Sequence, residues 1–108
     1  MLLEPTVSLI HKFNKSWKHA KDLWGEIHPT TTLLRDRKTD LQLSILLHHP
    51  NSLECIIETD GSEDIVAISL TKSFKYQGVT YNDAAHIPLR LAQPFLNHEQ
   101  QGNTYGNY

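Results

Sequence analysis

The segment LECIIETDGSEDIVAISLT, residues 53–71, contains two runs of alternating apolar and polar side chains separated by a turn. Alternation with a period of two is typical of a β-strand that buries one of its faces. The sequence Asp60-Gly61-Ser62-Glu63 between the two runs has the composition of a tight turn. We therefore predict an antiparallel hairpin with strands at residues 53–59 and 65–71.

The apolar positions of this hairpin select one pairing register. Opposing Ile57 to Val66 and Cys55 to Ile68 places the apolar side chains of both strands on the same face. A shift by one residue would place them on opposite faces, so the pattern itself determines the register. Cys55 points inward in this arrangement, and we interpret it as a packed core thiol rather than a nucleophile.

Neighbouring segments extend the predicted sheet. Residues 40–47 alternate in the same way, which predicts another strand. Residues 30–34 are predicted to form an edge strand, followed by a turn at residues 35–38. Residues 74–81 carry Gln77-Gly78 between aromatic residues, which predicts either a further short hairpin or a kinked continuation of the preceding strand. Together these segments predict an antiparallel meander of three to five strands.

The N-terminal part of the chain has a helical period instead. Apolar residues recur every three or four positions between residues 5 and 27, which predicts a long amphipathic helix. The apolar stripe of this helix consists of Ile10, Phe13, Trp17, Ala20, Trp24 and Ile27. We predict that the stripe packs on the apolar face of the sheet, where its aromatic residues supply much of the buried area.

The C-terminal part of the chain carries mixed signals. Asn82-Asp83 before two alanines has the composition of a helix start, whereas two prolines further on interrupt a long helix. We predict a helix that begins near Pro88, with an edge strand as the alternative. Residues 1–97 are predicted to form a single α+β domain. Residues 98–108, which lack aliphatic side chains, are predicted to form a disordered polar tail.

The composition is that of an ordinary globular chain. Its 108 residues carry a formal net charge of −2, so no strong overall field attracts nucleic acid or anionic lipid. A single cysteine excludes an internal disulfide. No apolar run has the length of a signal-peptide core or a membrane span. We expect a cytoplasmic protein without membrane contact.

Seven histidines raise the question of a metal site. The predicted topology brings His28 to the same end of the sheet as the adjacent pair His48 and His49, and three imidazoles are sufficient to hold zinc. Their spacing matches no metal-binding motif, and no carboxylate stands close in sequence to orient them. We therefore interpret His48 and His49 as turn residues beside Pro50, and we predict no metal, no cofactor and no enzymatic activity.

The outer face of the predicted sheet provides the main functional hypothesis. It carries an apolar patch rimmed by acidic and amide side chains, and exposed patches of this kind mark interaction sites. The predicted protein-binding residues are Leu46, Ile56, Ile65, Ala67, Tyr76 and Tyr81. We expect an adaptor, a dedicated chaperone or an inhibitor or immunity-type protein. It would bind another protein, or a second copy of itself as a homodimer, through this face or a sheet edge. The competing interpretation is that residues 82–97 cover the face.

The alternative hypothesis is nucleic-acid binding. The predicted order α-β-β-β-α resembles that of double-stranded-RNA-binding domains, and this resemblance implies phosphate contacts from lysine side chains. The first helix carries four lysines, Lys12, Lys15, Lys18 and Lys21. Double-stranded-RNA-binding domains also carry a lysine cluster at the start of their second helix, where this chain has Asp83-Ala84-Ala85. We therefore favour the protein-binding hypothesis.

Overall fold

The computed structural model describes residues 2–96, which form two helices, a three-stranded sheet and a short C-terminal helix. The elements are α1 (Leu3–Trp24), α2 (Pro29–His48), β1 (Leu53–Asp60), β2 (Glu63–Tyr76), β3 (Val79–Pro88) and α3 (Leu89–Ala92). The strands are antiparallel and lie in the order β1-β2-β3. The predicted α+β class is therefore confirmed, with three strands, within the predicted three to five, and one helix more than the sequence suggested.

The hairpin of β1 and β2 has the predicted register. Ile57 lies opposite Val66, and Cys55 lies opposite Ile68. Val66 and Ile68 are fully buried, and Cys55 is 1% exposed. The turn between the strands contains Gly61 with a φ of 65°, a conformation that glycine adopts without steric cost. A strict period of two, with one face buried, was therefore sufficient to determine this hairpin.

The second hairpin turns where the sequence predicts it. Gln77 and Gly78 connect Tyr76 to Val79, and their φ angles are 49° and 81°. Positive φ at both central residues is the conformation of a type I′ turn, whose twist matches that of the flanking strands. The hairpin of β2 and β3 therefore closes tightly at this end.

Further along, β3 contains a bulge. Ala84 and Ala85 together stand opposite the single residue Ile68 of β2. Ala85 has a φ of 63°, and its backbone N–H donates a hydrogen bond to Oδ1 of Asp83 at 2.8 Å. Such a bulge bends the strand and redirects its backbone groups. Here the carbonyl oxygens of Ala84 and His86 accept hydrogen bonds from Gln42 of α2.

The helix α2 replaces two strands that the sequence predicted at residues 30–34 and 40–47, so both predictions are wrong. Pro29 occupies the first turn, and Nδ1 of His28 accepts a hydrogen bond from the backbone N–H of Thr30 at 3.1 Å. The buried residues of this helix are Thr31, Lys38, Gln42, Ile45 and Leu46. Because most of them are polar, apolar residues do not recur at the helical spacing along α2. Near the end of the helix, apolar residues instead occur at every second position, which is the pattern of a strand.

The two long helices form a hairpin, and the hydrophobic core occupies only one end of it. The core residues of α1 are Val7 and Ile10, in its first half, and those of α2 are Ile45 and Leu46, near its end. They pack with the inner face of the sheet. No residue between 11 and 40 belongs to the buried core cluster. The connection between the helices therefore lies away from the core.

The predicted stripe of the first helix is consequently only partly buried. Ile10 is fully buried and Trp17 is half-buried. Trp24 is 52% exposed, and Ile27, which follows the end of α1, is 94% exposed. The prediction that these last two side chains pack on the sheet is wrong. The helix ends at Gly25, whose φ is 87°, and the core does not extend to this end of the hairpin.

The C-terminal segment packs on the core side of the fold. Pro88 directly precedes the single turn of α3, which confirms the predicted helix start, whereas Asn82-Asp83 lies within β3. Three side chains of this segment, Leu89, Leu91 and Phe95, pack against the core. The predicted disordered tail, residues 98–108, lies outside the described residues. Among residues 2–96, no helix has both the length and the apolar character needed to cross a membrane.

Candidate functional site

The structure brings three of the six predicted binding residues together on the outer face of the sheet. Ile56 of β1 lies opposite Ala67 of β2, and Ile65 lies two residues before Ala67 on the same strand and face. Ile56 is 45% exposed, and the other two are half-buried. Leu46 does not belong to this face. It lies in α2 and is 1% exposed, so its assignment to the patch is wrong because the predicted strand there is a helix.

The two predicted tyrosines lie at the far end of the sheet. Tyr76 adjoins the β2–β3 turn, nine residues along β2 from Ala67 and beyond the irregular stretch between Ser69 and Phe74. Tyr81 is held by α1, because its hydroxyl donates a hydrogen bond to Oγ of Ser8 at 3.1 Å. Its ring also lies 5.8 Å from the ring of Phe74. These tyrosines therefore do not extend the patch around Ala67.

The three histidines that suggested a metal site do not converge. His28 precedes α2 and His48 ends it, so about 30 Å of helix separates them. Nδ1 of His48 lies 2.9 Å from the carbonyl oxygen of Ser44 and makes a local contact with its own helix. Among the side chains that the structure describes, no group of three or more from His, Cys, Asp or Glu is placed to hold a metal ion.

The two edges of the sheet differ in their surroundings. The edge of β3 is covered by the helices: Nε2 of Gln42 donates hydrogen bonds to the carbonyl oxygens of Ala84 at 2.8 Å and His86 at 3.1 Å. Nε2 of His11 lies 2.7 Å from the carbonyl oxygen of Asp83. The edge of β1 pairs with no strand in the part of the chain that the structure describes. Of the two edges, β1 is therefore the open one.

A cleft of about 880 Å³ lies between the helical hairpin and the end of β3. Its apolar lining comes from both long helices, from β2 and from the β3–α3 segment, and includes Trp17, Leu43, Ile65, Pro88 and Leu91. Its polar lining includes Asn14, Lys18, Lys38, Thr39 and His86. A cleft of this volume with mixed lining is typical of a ligand-binding site. Ile65 is the predicted binding residue that reaches it.

The helical wall of the cleft contains a buried lysine. Lys38 is 6% exposed, and its Nζ atom donates a hydrogen bond to Oδ1 of Asn14 at 3.1 Å and lies 4.3 Å from the centroid of the Trp17 ring. Burial, and to a smaller extent the positive charges of Lys18 and Lys21, lower the pKa of Lys38 from its ordinary value of 10.5 to about 8. Three lysines therefore meet at this wall, which we call the lysine wall.

The remaining charges around the cleft are partly neutralised by each other. Nη2 of Arg35 lies 3.2 Å from Oδ1 of Asp36. Nε of Arg90 donates a hydrogen bond to Oε2 of Glu63 at 2.8 Å. In contrast, none of the three lysines of the lysine wall forms a salt bridge within residues 2–96. The wall therefore carries positive charge that the described residues do not neutralise.

The sequence contained part of the signal for this site. Trp17 and Lys21 are four residues apart, a spacing that places two helical side chains in contact, and Nζ of Lys21 lies 4.9 Å from the ring centroid. Lys38 was assigned to a turn between strands, so its contact with Trp17 was not foreseen. The four lysines of the first helix were considered together as phosphate contacts, whereas only Lys18 of the four lines the cleft and Lys21 adjoins it.

The single cysteine lies away from the cleft lining and is buried in the core. Burial raises the pKa of the Cys55 thiol from its ordinary value of 9.0 to about 11. At neutral pH the side chain is therefore a neutral thiol, which is a poor nucleophile. The structure places Cys55 as the sequence predicts, on the inner face of β1.

The comparisons with known proteins add no identification. No protein-family model matches the chain, and no curated protein or solved structure is significantly similar to it.

Proposed function

We propose that this chain is a non-enzymatic protein-binding module whose cleft receives a segment of a partner protein. The observation that carries the proposal is the composition of the cleft. Apolar side chains from separate elements line it together with basic and acidic side chains. Protein interfaces have this composition, with an apolar centre that includes aromatic residues and a polar rim.

The position of the cleft also favours a peptide segment as its occupant. It lies beside the end of β3 and is lined by Trp17 and Arg90, the residue types that most often dominate binding energy at interfaces. The patch of Ile56, Ile65 and Ala67 on the outer face of the sheet remains the competing surface. It is a strand face with Glu54 and Glu58 beside it.

Two threonines of α2 allow a matched test of the cleft. Thr39 lines the cleft, whereas Thr32 does not, and both are half-buried. The two residues are seven positions apart, so they lie on nearly the same side of the helix two turns from each other. Thr39→Tyr fills the cleft with an uncharged ring, and Thr32→Tyr adds the same ring elsewhere on the helix.

The experiment compares the two variants and the wild type as baits in quantitative affinity capture from the native cell. We expect one or more proteins to be captured by the wild type and by Thr32→Tyr but lost with Thr39→Tyr, while circular dichroism confirms that all three are folded. A third bait, Ile56→Gln, tests the outer face. Loss of the partner with Ile56→Gln and its retention with Thr39→Tyr would contradict the cleft and favour the outer face.

A further inference from the structure

We propose that the lysine wall of the cleft, formed by Lys18, Lys21 and Lys38, binds a carboxylate on an acidic and partly apolar segment of the partner. This inference rests on the proposed function, and it adds the chemistry by which the partner segment is recognised.

The first argument is the missing countercharge. A buried ammonium group is costly unless a counter-ion or several hydrogen bonds compensate it. Lys38 has Asn14 and the face of Trp17 as its partners, but it has no salt bridge within the described residues. Lys18 and Lys21 add repulsion rather than compensation. A carboxylate in the cleft would supply the charge that the described residues do not.

The second argument is the position of these groups. Lys18 and Lys38 both line the cleft, and Lys21 shares the Trp17 ring with Lys38. Positive charge is therefore concentrated on one wall of a concave site that also has apolar lining. In such a site, partly screened from water, a charge-assisted hydrogen bond is worth about twice a neutral one.

The third argument separates an acidic peptide from a nucleic acid. Nucleic-acid binding depends on many phosphate contacts and on stacking of bases on exposed aromatic rings. Here the ring of Trp17 is already contacted by two ammonium groups. Asp36 and Asp40 also line the cleft beside its lysines and arginines, so its net positive charge is too small for the many phosphates of a nucleic acid. In addition, the observed order α-α-β-β-β-α is not the order that resembled double-stranded-RNA-binding domains.

Trp17 provides a direct fluorescence signal for this test. The other tryptophan, Trp24, is half-exposed and stacks on His28 at 5.1 Å, so Trp24→Phe leaves a single indole at the lysine wall. In this background, the emission of Trp17 is followed during titration with a synthetic hexapeptide of alternating glutamate and leucine. The comparison ligands are the same hexapeptide with glutamine in place of glutamate, oligothymidylate of equal charge, and inorganic phosphate.

We expect the glutamate hexapeptide to change the emission of Trp17 with saturation, and each comparison ligand to bind at least about tenfold more weakly. Lys38→Met and Lys18→Gln should each weaken binding of the glutamate hexapeptide by about tenfold or more. Lys15→Gln removes the same charge from an exposed position outside the cleft and should leave binding within about twofold. Because Lys18 is exposed, its variant tests the proposal even if Lys38→Met is poorly folded.

Three results would overturn the inference. They are equal binding of the glutamine hexapeptide, tighter binding of oligothymidylate or phosphate than of the glutamate hexapeptide, and no response to the glutamate hexapeptide. The capture experiment distinguishes a failure of carboxylate recognition from a failure of protein binding by the cleft. If Lys18→Gln and Lys38→Met retain a partner that Thr39→Tyr loses, the cleft binds proteins without recognising a carboxylate.

Discussion

The side-chain amide of Gln42 donates a hydrogen bond of 2.8 Å to the carbonyl oxygen of Ala84, which joins the middle of α2 to the edge of β3. The same nitrogen donates a second hydrogen bond, of 3.1 Å, to the carbonyl oxygen of His86. Gln42 is fully buried, and its own oxygen Oε1 has no hydrogen-bond partner within the described residues. The bulge at Ala84 and Ala85 lies at this contact. An edge that would otherwise be open is thereby closed by a helix.

Gln42→Leu should destabilise the fold by about 2–4 kcal/mol, because it keeps a similar volume but leaves two carbonyl oxygens without their donor. Urea unfolding followed by circular dichroism measures the change. Gln93→Leu, at an exposed position, is the control and should change the free energy of unfolding by less than about 0.5 kcal/mol. Equal effects of the two substitutions would mean that water satisfies the β3 edge without help from Gln42.

This relationship shows why the sequence predicted one half of the fold and not the other. The strands β1 and β2 alternate apolar and polar residues because one face is buried and the other is not, so both the strands and their register were predictable. The buried side of α2 includes Thr31, Lys38 and Gln42, whose polar groups do not contribute to a hydrophobic period. A helix whose buried side is polar cannot be recognised from hydrophobic alternation alone.

The cleft could not be predicted from the sequence either. It is formed by elements that are distant in the sequence, so its lining depends on how the helical hairpin lies against the end of β3. Ile65 was predicted as a binding residue from its strand pattern, and it does reach the cleft. Lys38 and Leu43 were assigned to a turn and to a strand, and only the continuous helix α2 brings both to the same site.

The β2–β3 turn offers a stabilising substitution. Gln77 has a φ of 49°, in a region that asparagine occupies more easily than glutamine. Asn-Gly is the preferred pair of a type I′ turn, so Gln77→Asn should raise the free energy of unfolding by roughly 0.5–1 kcal/mol. Gln77→Val, which places a β-branched residue at positive φ, should lower it by about 1–3 kcal/mol. Thermal unfolding of the two variants checks the opposite signs.

Lys38 predicts a specific dependence of stability on pH. Its pKa is about 8 in the folded protein and has the ordinary value of 10.5 in the unfolded chain. Between these values the unfolded chain binds more protons, so the contribution of Lys38 to stability rises as the pH rises from 8 toward 10.5. Below pH 8 its buried charge remains a cost to the folded state.

Lys38→Met should therefore stabilise the protein at pH 7, by on the order of 1–3 kcal/mol, because an apolar chain of similar size replaces the buried charge. The advantage should shrink as the pH rises through 8 and approach zero near 10.5. Urea unfolding of the wild type and of Lys38→Met over this pH range measures the difference in their free energies of unfolding. The titration of other groups largely cancels in this difference. The control is Lys15→Met at an exposed position, whose free energy of unfolding should differ from that of the wild type by the same amount at every pH. The same independence of pH for Lys38→Met would contradict the assigned pKa.

The buried thiol of Cys55 predicts strong protection from alkylation. Because burial raises the pKa of Cys55 to about 11, little thiolate forms in the folded protein at pH 8, and the side chain is also inaccessible. Iodoacetamide should react with Cys55 only after the protein is unfolded in urea, as followed by intact mass. Rapid alkylation of the native protein at pH 8 would show that β1 opens readily at the sheet edge.

Truncation of an isoleucine to alanine should have different effects on stability at the two ends of the helical hairpin. Ile10→Ala should cost about 2–5 kcal/mol, because Ile10 is fully buried in the core. Ile27→Ala should change the free energy of unfolding by less than about 0.5 kcal/mol, because that side chain is 94% exposed. The measurement is urea unfolding at two protein concentrations. If Ile27→Ala is as costly as Ile10→Ala, and its cost grows with protein concentration, then a second copy of the chain covers Ile27 in solution. The exposed side chain of Trp24 would in that case belong to a homodimer interface.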